Sequence, residues 1–135
     1  MIRWIALLTL GVVLFWTADA RAQTKKRLVF KKKYAELTAV ISGSQVLEYV
    51  FRVGRNADTE IWIDHTDAAA DYPKFVLYRP DGKLFYDRDS VNYGPLTDLM
   101  DILPLPGDYT LRLQLPAESR DGDKPVKFTL RILLK

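Results

Sequence analysis

From residue 23 onward, apolar and polar residues alternate in short stretches instead of recurring every three or four positions. The pattern is cleanest near the C-terminus. In Tyr109-Thr-Leu111-Arg-Leu113-Gln-Leu115 and in Val126-Lys-Phe128-Thr-Leu130-Arg-Ile132 the alternation runs without a slip. A period of two places one side of a strand on a core and the other in water. The spacing predicts two antiparallel strands joined by a long polar hairpin loop, 116–125. Earlier, β-branched and aromatic runs at 37–42 and 46–53 are split by the turn signal Ser42-Gly43-Ser44. A short strand is expected at 60–64, closed by charge at both ends. Strands at 74–78 and 84–86 flank Pro80-Asp81-Gly82-Lys83, whose Pro and Gly suit a tight turn. Residues 28–30 are expected to open the sheet, and 98–103 to add a strand before Leu103-Pro-Leu-Pro-Gly107. No stretch keeps a helical period over three turns. The expectation is one all-β domain, an antiparallel β-sandwich of about 7–9 short strands.

The first 22 residues follow a different rule. Met1-Ile-Arg3 leads into the apolar run 4–16 and then into Ala20-Arg-Ala22. A basic start, an apolar centre and a small-residue site make a secretory signal peptide, with cleavage expected after Ala22. The run is shorter than the ~20 residues of a bilayer span. The chain therefore divides into a signal peptide, 1–22, and a β-sandwich domain, 23–135, exported to the periplasm and not membrane-spanning.

Charge and composition narrow the chemistry. The 135 residues hold 20 Lys and Arg against 17 Asp and Glu, one His and no Cys. Without Cys there is no disulfide, thiolate metal site or Cys nucleophile. The net charge of +3 is unevenly spread: Lys25, Lys26, Arg27, Lys31, Lys32 and Lys33 are basic, whereas residues 34–135 hold 12 basic and 16 acidic groups. The basic stretch suits an anionic envelope polymer, or an edge strand on which Lys blocks unwanted pairing. Nucleic acid is not expected, because the chain is exported and aromatic–basic interleaving is missing.

His65, with Asp64, Asp67, Asp58 and Asp71 around it, is the one place for a metal or an Asp-paired base, in a segment that reads as a solvated connection. Ser42-Gly43-Ser44 is not a nucleophile elbow. Asp121-Gly122-Asp123, with Glu118, falls short of a calcium loop and reads as a turn. The sequence predicts a binding protein, not an enzyme, with no cofactor or metal. Arg120 stands out, since a loop projecting from a rigid sheet is where such folds keep function, and Arg binds carboxylates through its planar fork.

The order of segments resembles the periplasmic inhibitors of goose-type lysozyme, a family related in pattern to prepeptidase C-terminal sandwich domains. The likeness runs through Val29-Phe30-Lys31-Lys32, Ile41-Ser-Gly43, Glu48-Tyr49-Val50-Phe51, the stretches Phe75 to Gly82 and Leu103 to Arg112, and the strand from Val126 to Lys135. The resemblance implies an inhibitor that blocks a muramidase cleft by inserting loops. In that family a Tyr follows the Gly of the early turn and two Arg stand on the last loop. Here Ser44 follows Gly43, and the loop supplies Arg120, with Ala117 near the other Arg position. The implied partner-binding residues are Arg120, Ser119, Asp121 and Ser44, and the implied partner is a goose-type lysozyme or related muramidase. The wider sandwich group supplies the alternative, a carbohydrate-, peptidoglycan- or envelope-binding module. Its aromatic platform would come from Trp62, Tyr72, Tyr78, Tyr86 or Tyr93.

Overall fold

The computed structural model describes residues 24–65, 72–85, 96–122 and 124–135. The expected signal peptide, Asp67, Asp71, Tyr86, Tyr93, Asp123 and the side chain of His65 lie outside the described residues. Eight strands are described: β1 (Thr24–Arg27), β2 (Tyr34–Ile41), β3 (Leu47–Val53), β4 (Ala57–His65), β5 (Lys74–Tyr78), β6 (Asp98–Leu103), β7 (Gly107–Gln114) and β8 (Val126–Leu134). They form a first sheet in the order β1-β3-β7-β5 and a second in the order β2-β8-β4-β6. Every pair is antiparallel except β1 with β3. The expected all-β sandwich is what the chain forms.

The hairpin expected across 116–125 is not a hairpin. The strands β7 and β8 lie in opposite sheets: β7 pairs with β3 and β5, and β8 with β2 and β4. Alternation tells which face of a strand is buried, not which strand lies beside it. Two strands with one apolar face each satisfy that pattern equally well across the core. The turn at Gly43 likewise carries the chain from β2 in the second sheet to β3 in the first. Three boundaries also shift. The opening strand is β1, and residues 28–30 follow it, with the Leu28 amide donating to the Val50 carbonyl at 2.8 Å. Position 84 makes only an isolated bridge to Tyr78. Strand β4 extends beyond 60–64 at both ends and takes in His65, because its flanking charges occupy outward positions of the same strand.

The core is the set of inward positions. Phe51, Phe75, Tyr109, Leu111, Leu113, Phe128 and Ile132 are fully enclosed between the sheets. Rings of Phe51 and Tyr109 stack with centroids 6.0 Å apart. The Tyr109 hydroxyl is not wasted by burial: it donates to the Leu105 carbonyl and accepts from the Leu105 amide, both at 3.1 Å. This pins the Leu103-to-Gly107 corner to the start of β7. Gly107, at φ +126°, completes the corner, where a Cβ would sit 3.1 Å from that of Pro80.

Candidate functional site

The two crossings between sheets, at 42–46 and 115–125, lie side by side at one end of the sandwich. Gly43 is in the left-handed region, φ +59°, and a Cβ there would lie 3.6 Å from the Gly122 carbonyl and 3.8 Å from that of Arg120. Antiparallel pairing of β2 with β8 and of β3 with β7 brings this about, because Ile41 meets Val126 and Leu47 meets Leu113. Residues far apart in the chain are thus neighbours here: Gly43 on one crossing, Arg120 and Gly122 on the other, with Ser44 next to Gly43 in the chain and Ser119 and Asp121 on either side of Arg120.

Arg120 is held in a defined position. Residues Ala117–Ser119 make a single 3-10 turn, and the Arg120 amide closes it on the Ala117 carbonyl at 3.3 Å. Its Nε donates to the Leu115 carbonyl at 3.0 Å. One side of the guanidinium is thereby tied to the backbone, and Arg120 borders a hollow of about 300 Å³ that Lys74, Val76, Arg112, Gln114 and Glu118 also line. Arg120 makes no ion pair among the described residues. Ser44 and Asp121 are exposed, and the Ser119 hydroxyl is enclosed.

A second constellation lies on the outer face of the first sheet, and the sequence reading passed over it. Strand register puts Glu48 opposite Arg112, and Thr110 between Val50 and Tyr78. Arg112 donates to Glu48 Oε1 from Nε at 3.2 Å and from Nη2 at 3.1 Å. Its Nη1 is 3.4 Å from the Tyr78 hydroxyl, and its Cζ stands 5.1 Å from the centre of the Tyr78 ring. The Glu48 side chain is 8% exposed although it points away from the core, while Arg112 is 41% exposed. Arg27 forms a two-pronged pair with Asp108 at 3.0 and 2.8 Å. That pair holds the Asp108 carboxyl below its ordinary range, first through the hydrogen bond with Arg27. These side chains border a trough of about 730 Å³, and Arg112 borders both the trough and the hollow beside Arg120. The signal was available: Glu48 sits between Leu47 and Tyr49, and Arg112 between Leu111 and Leu113, so both point outward.

Other candidates are not assembled. Trp62, on β4, and Tyr78, on β5, occupy outward positions of opposite sheets, so they form no common platform. No group of three or more His, Cys, Asp or Glu is placed to hold a metal ion among the described residues. No described helix is long and apolar enough to cross a membrane. The basic stretch is divided, with Lys25, Lys26 and Arg27 on edge strand β1 and Lys31, Lys32 and Lys33 in the turn leading to β2.

This architecture defines a class, the small two-sheet β-sandwiches. Within it, the chain is similar to PliG of Aeromonas hydrophila, a periplasmic inhibitor of g-type lysozyme, at TM-score 0.65 and 15% identity, over 83% of this chain and 96% of that one. It is similar to the Salmonella Typhimurium PliG at TM-score 0.55 and 17% identity, over 82% and 99%. The pre-peptidase C-terminal domain of a Bacillus anthracis collagenase matches at 0.54 and 12%, over 82% and 95%. At these identities the likeness is one of fold. Neither protein-family profiles nor curated proteins match the sequence.

Proposed function

We propose that this chain is exported to the periplasm, cleaved after Ala22, and there binds and inhibits a lysozyme, of the goose type first. The inhibiting surface is the end of the sandwich where the two crossings meet, with Arg120 and Asp121 on one, Ser119 contributing its backbone because its hydroxyl is enclosed, and Ser44 on the other. The observation that carries the reading is Arg120: an Arg tied at Nε, set on a rigid turn and presented beside a second loop. Glycosidases place two carboxylates about the bond they cut. An Arg fork entering such a cleft gains charge-assisted bonds in a desolvated setting, where they are strongest. No chemistry by the inhibitor is required, since occupancy of the cleft is enough. The likeness of fold to the PliG inhibitors supports the same reading.

Inhibition of goose-, chicken- and invertebrate-type lysozymes on peptidoglycan tests it. The goose-type enzyme is expected to slow at micromolar protein. Arg120→Ala should weaken inhibition by about 2 kcal/mol, or roughly thirtyfold in the inhibition constant, with an unchanged circular dichroism spectrum. Failure to slow any of the three enzymes overturns the reading.

A further inference from the structure

We propose that the trough on the outer face of the first sheet is a second binding site, for an acidic polysaccharide chain. The two outer faces of the sandwich carry opposite charge. Register assigns Lys25, Arg27, Arg52, Lys74 and Arg112 to the outward positions of the first sheet, against Glu48 and Asp108. The second sheet reverses the balance, with Glu36, Asp58, Glu60, Asp64 and Asp98 against Lys127, Arg131 and the adjoining Lys135. A polyanion is drawn to one face and repelled by the other.

The lining selects among polyanions. The cations of the trough are interleaved with carboxylates: Arg27 with Asp108, and Arg112 with Glu48. An acidic peptide offers these carboxylates one backbone N–H per residue, and its long side chains set their charges against Asp108 and Glu48 as well as beside the cations. A uronic-acid chain brings a carboxylate for the guanidinium groups and hydroxyl donors for the carboxylates on every ring. Tyr78 and Pro80 add apolar surface at one wall, suited to the C–H face of a sugar. The four strands span about 14 Å, a width that holds an extended chain of linked rings. Arg112 is the central donor. Its Nε and Nη2 are fixed by Glu48, and Nη1, loosely held at 3.4 Å from Tyr78, is oriented for a ligand oxygen.

The test is calorimetric titration of the purified chain with polygalacturonate oligosaccharides, neutral dextran and poly-glutamate. Polygalacturonate is expected to bind, and to bind more weakly as salt is added. Dextran is expected not to bind, and poly-glutamate to bind at least about tenfold more weakly. The double substitution Glu48→Gln with Arg112→Gln should lower polygalacturonate affinity about tenfold or more. It removes both charges together, so no buried carboxylate is stranded, and thermal unfolding checks that the domain is intact. Arg27→Gln, at an exposed position, should cost a few-fold by itself. Lys127→Gln, on the opposite sheet, should cost nothing. Absence of polygalacturonate binding overturns the proposal, as does binding that survives both trough variants. Poly-glutamate binding as tight as polygalacturonate, lost in the same variants, overturns it in favour of an acidic peptide. Arg120→Ala should leave polygalacturonate binding unchanged, so this site and lysozyme inhibition fail independently.

Discussion

The two outer faces of the sandwich come from the same alternation of residues, yet they are built differently. On the first sheet the outward positions cooperate. Arg112 touches both Glu48 and Tyr78, and Val50 beside them is 7% exposed. On the second sheet the outward contacts are more open, apart from the Thr38 and Thr129 hydroxyls, which lie 3.0 Å apart with Thr129 buried. Met100 is 68% and Ile102 50% exposed, and Arg131, half-buried at 35%, meets Glu36 and Asp64, whose carboxylates are 45% exposed. Both faces carry an Arg at the centre of a sheet with carboxylates in reach. The difference is solvent. Enclosure of the Glu48 carboxylate makes its contact consequential, and the exposure of Glu36 and Asp64 leaves theirs tolerant.

The sharpest way to break this comparison is to remove each Arg. Arg112→Leu leaves Glu48 enclosed without its partner, and is expected to destabilise the protein by about 2 kcal/mol. That is below the cost of breaking a fully buried pair, because Arg112 itself is partly in water. Arg131→Leu should cost less than about 1 kcal/mol. Urea unfolding of the two variants against the parent measures both, and equal losses would show that the faces do not differ in this way.

How much of this was readable beforehand follows the same line. Alternation in 109–115 and 126–132 announces two amphipathic strands, but pairing across a sheet and facing across a core produce the same alternation. Only the long-range register distinguishes them, so β7 and β8 looked like a hairpin. The pair of Glu48 and Arg112 was hidden for the same reason: 64 residues separate them, and each alone is an ordinary outward polar position. Arg120 was legible because it depends on local facts, a polar loop and a single Arg within it. Its tie to Leu115 and the approach of Gly43 were not, since backbone contacts between two crossings leave no trace in residue type. Strand β6 runs against its pattern, with Met100 and Ile102 outward and Asp101 on the inward register. Neighbouring β4 sets that register, and the residue types of β6 do not.

A smaller expected effect concerns pH, where the two faces should fail at opposite ends of the scale. Asp108 is held low by its hydrogen bond to Arg27. Its contribution is therefore complete above the ordinary carboxylate range and is lost as pH falls through its depressed folded value. Lys135, beside the second face, is held high by its hydrogen bond to Glu60 at 2.7 Å. Its contribution is complete below the ordinary lysine value and is lost as pH rises through its raised folded value. In NMR titrations, Arg27→Gln should move Asp108 upward, and Glu60→Gln should move Lys135 downward. A shift of either in the other direction contradicts the pairing.

The smallest effect is expected where the second face looks most conspicuous. Met100 and Ile102 expose apolar surface on an edge strand, and removing them tests whether that surface contributes to the fold. Both side chains already lie largely in water, so replacing them with polar residues forfeits little burial. Met100→Ser and Ile102→Thr should each change stability by no more than about 0.5 kcal/mol, measured by the same urea titrations. Thr at 102 keeps the β-branched shape that an edge strand favours. A loss above about 1 kcal/mol in either would mean that these side chains are covered in solution. The tolerance assigned to the second face would then belong only to its charged half, around Arg131 and Glu36.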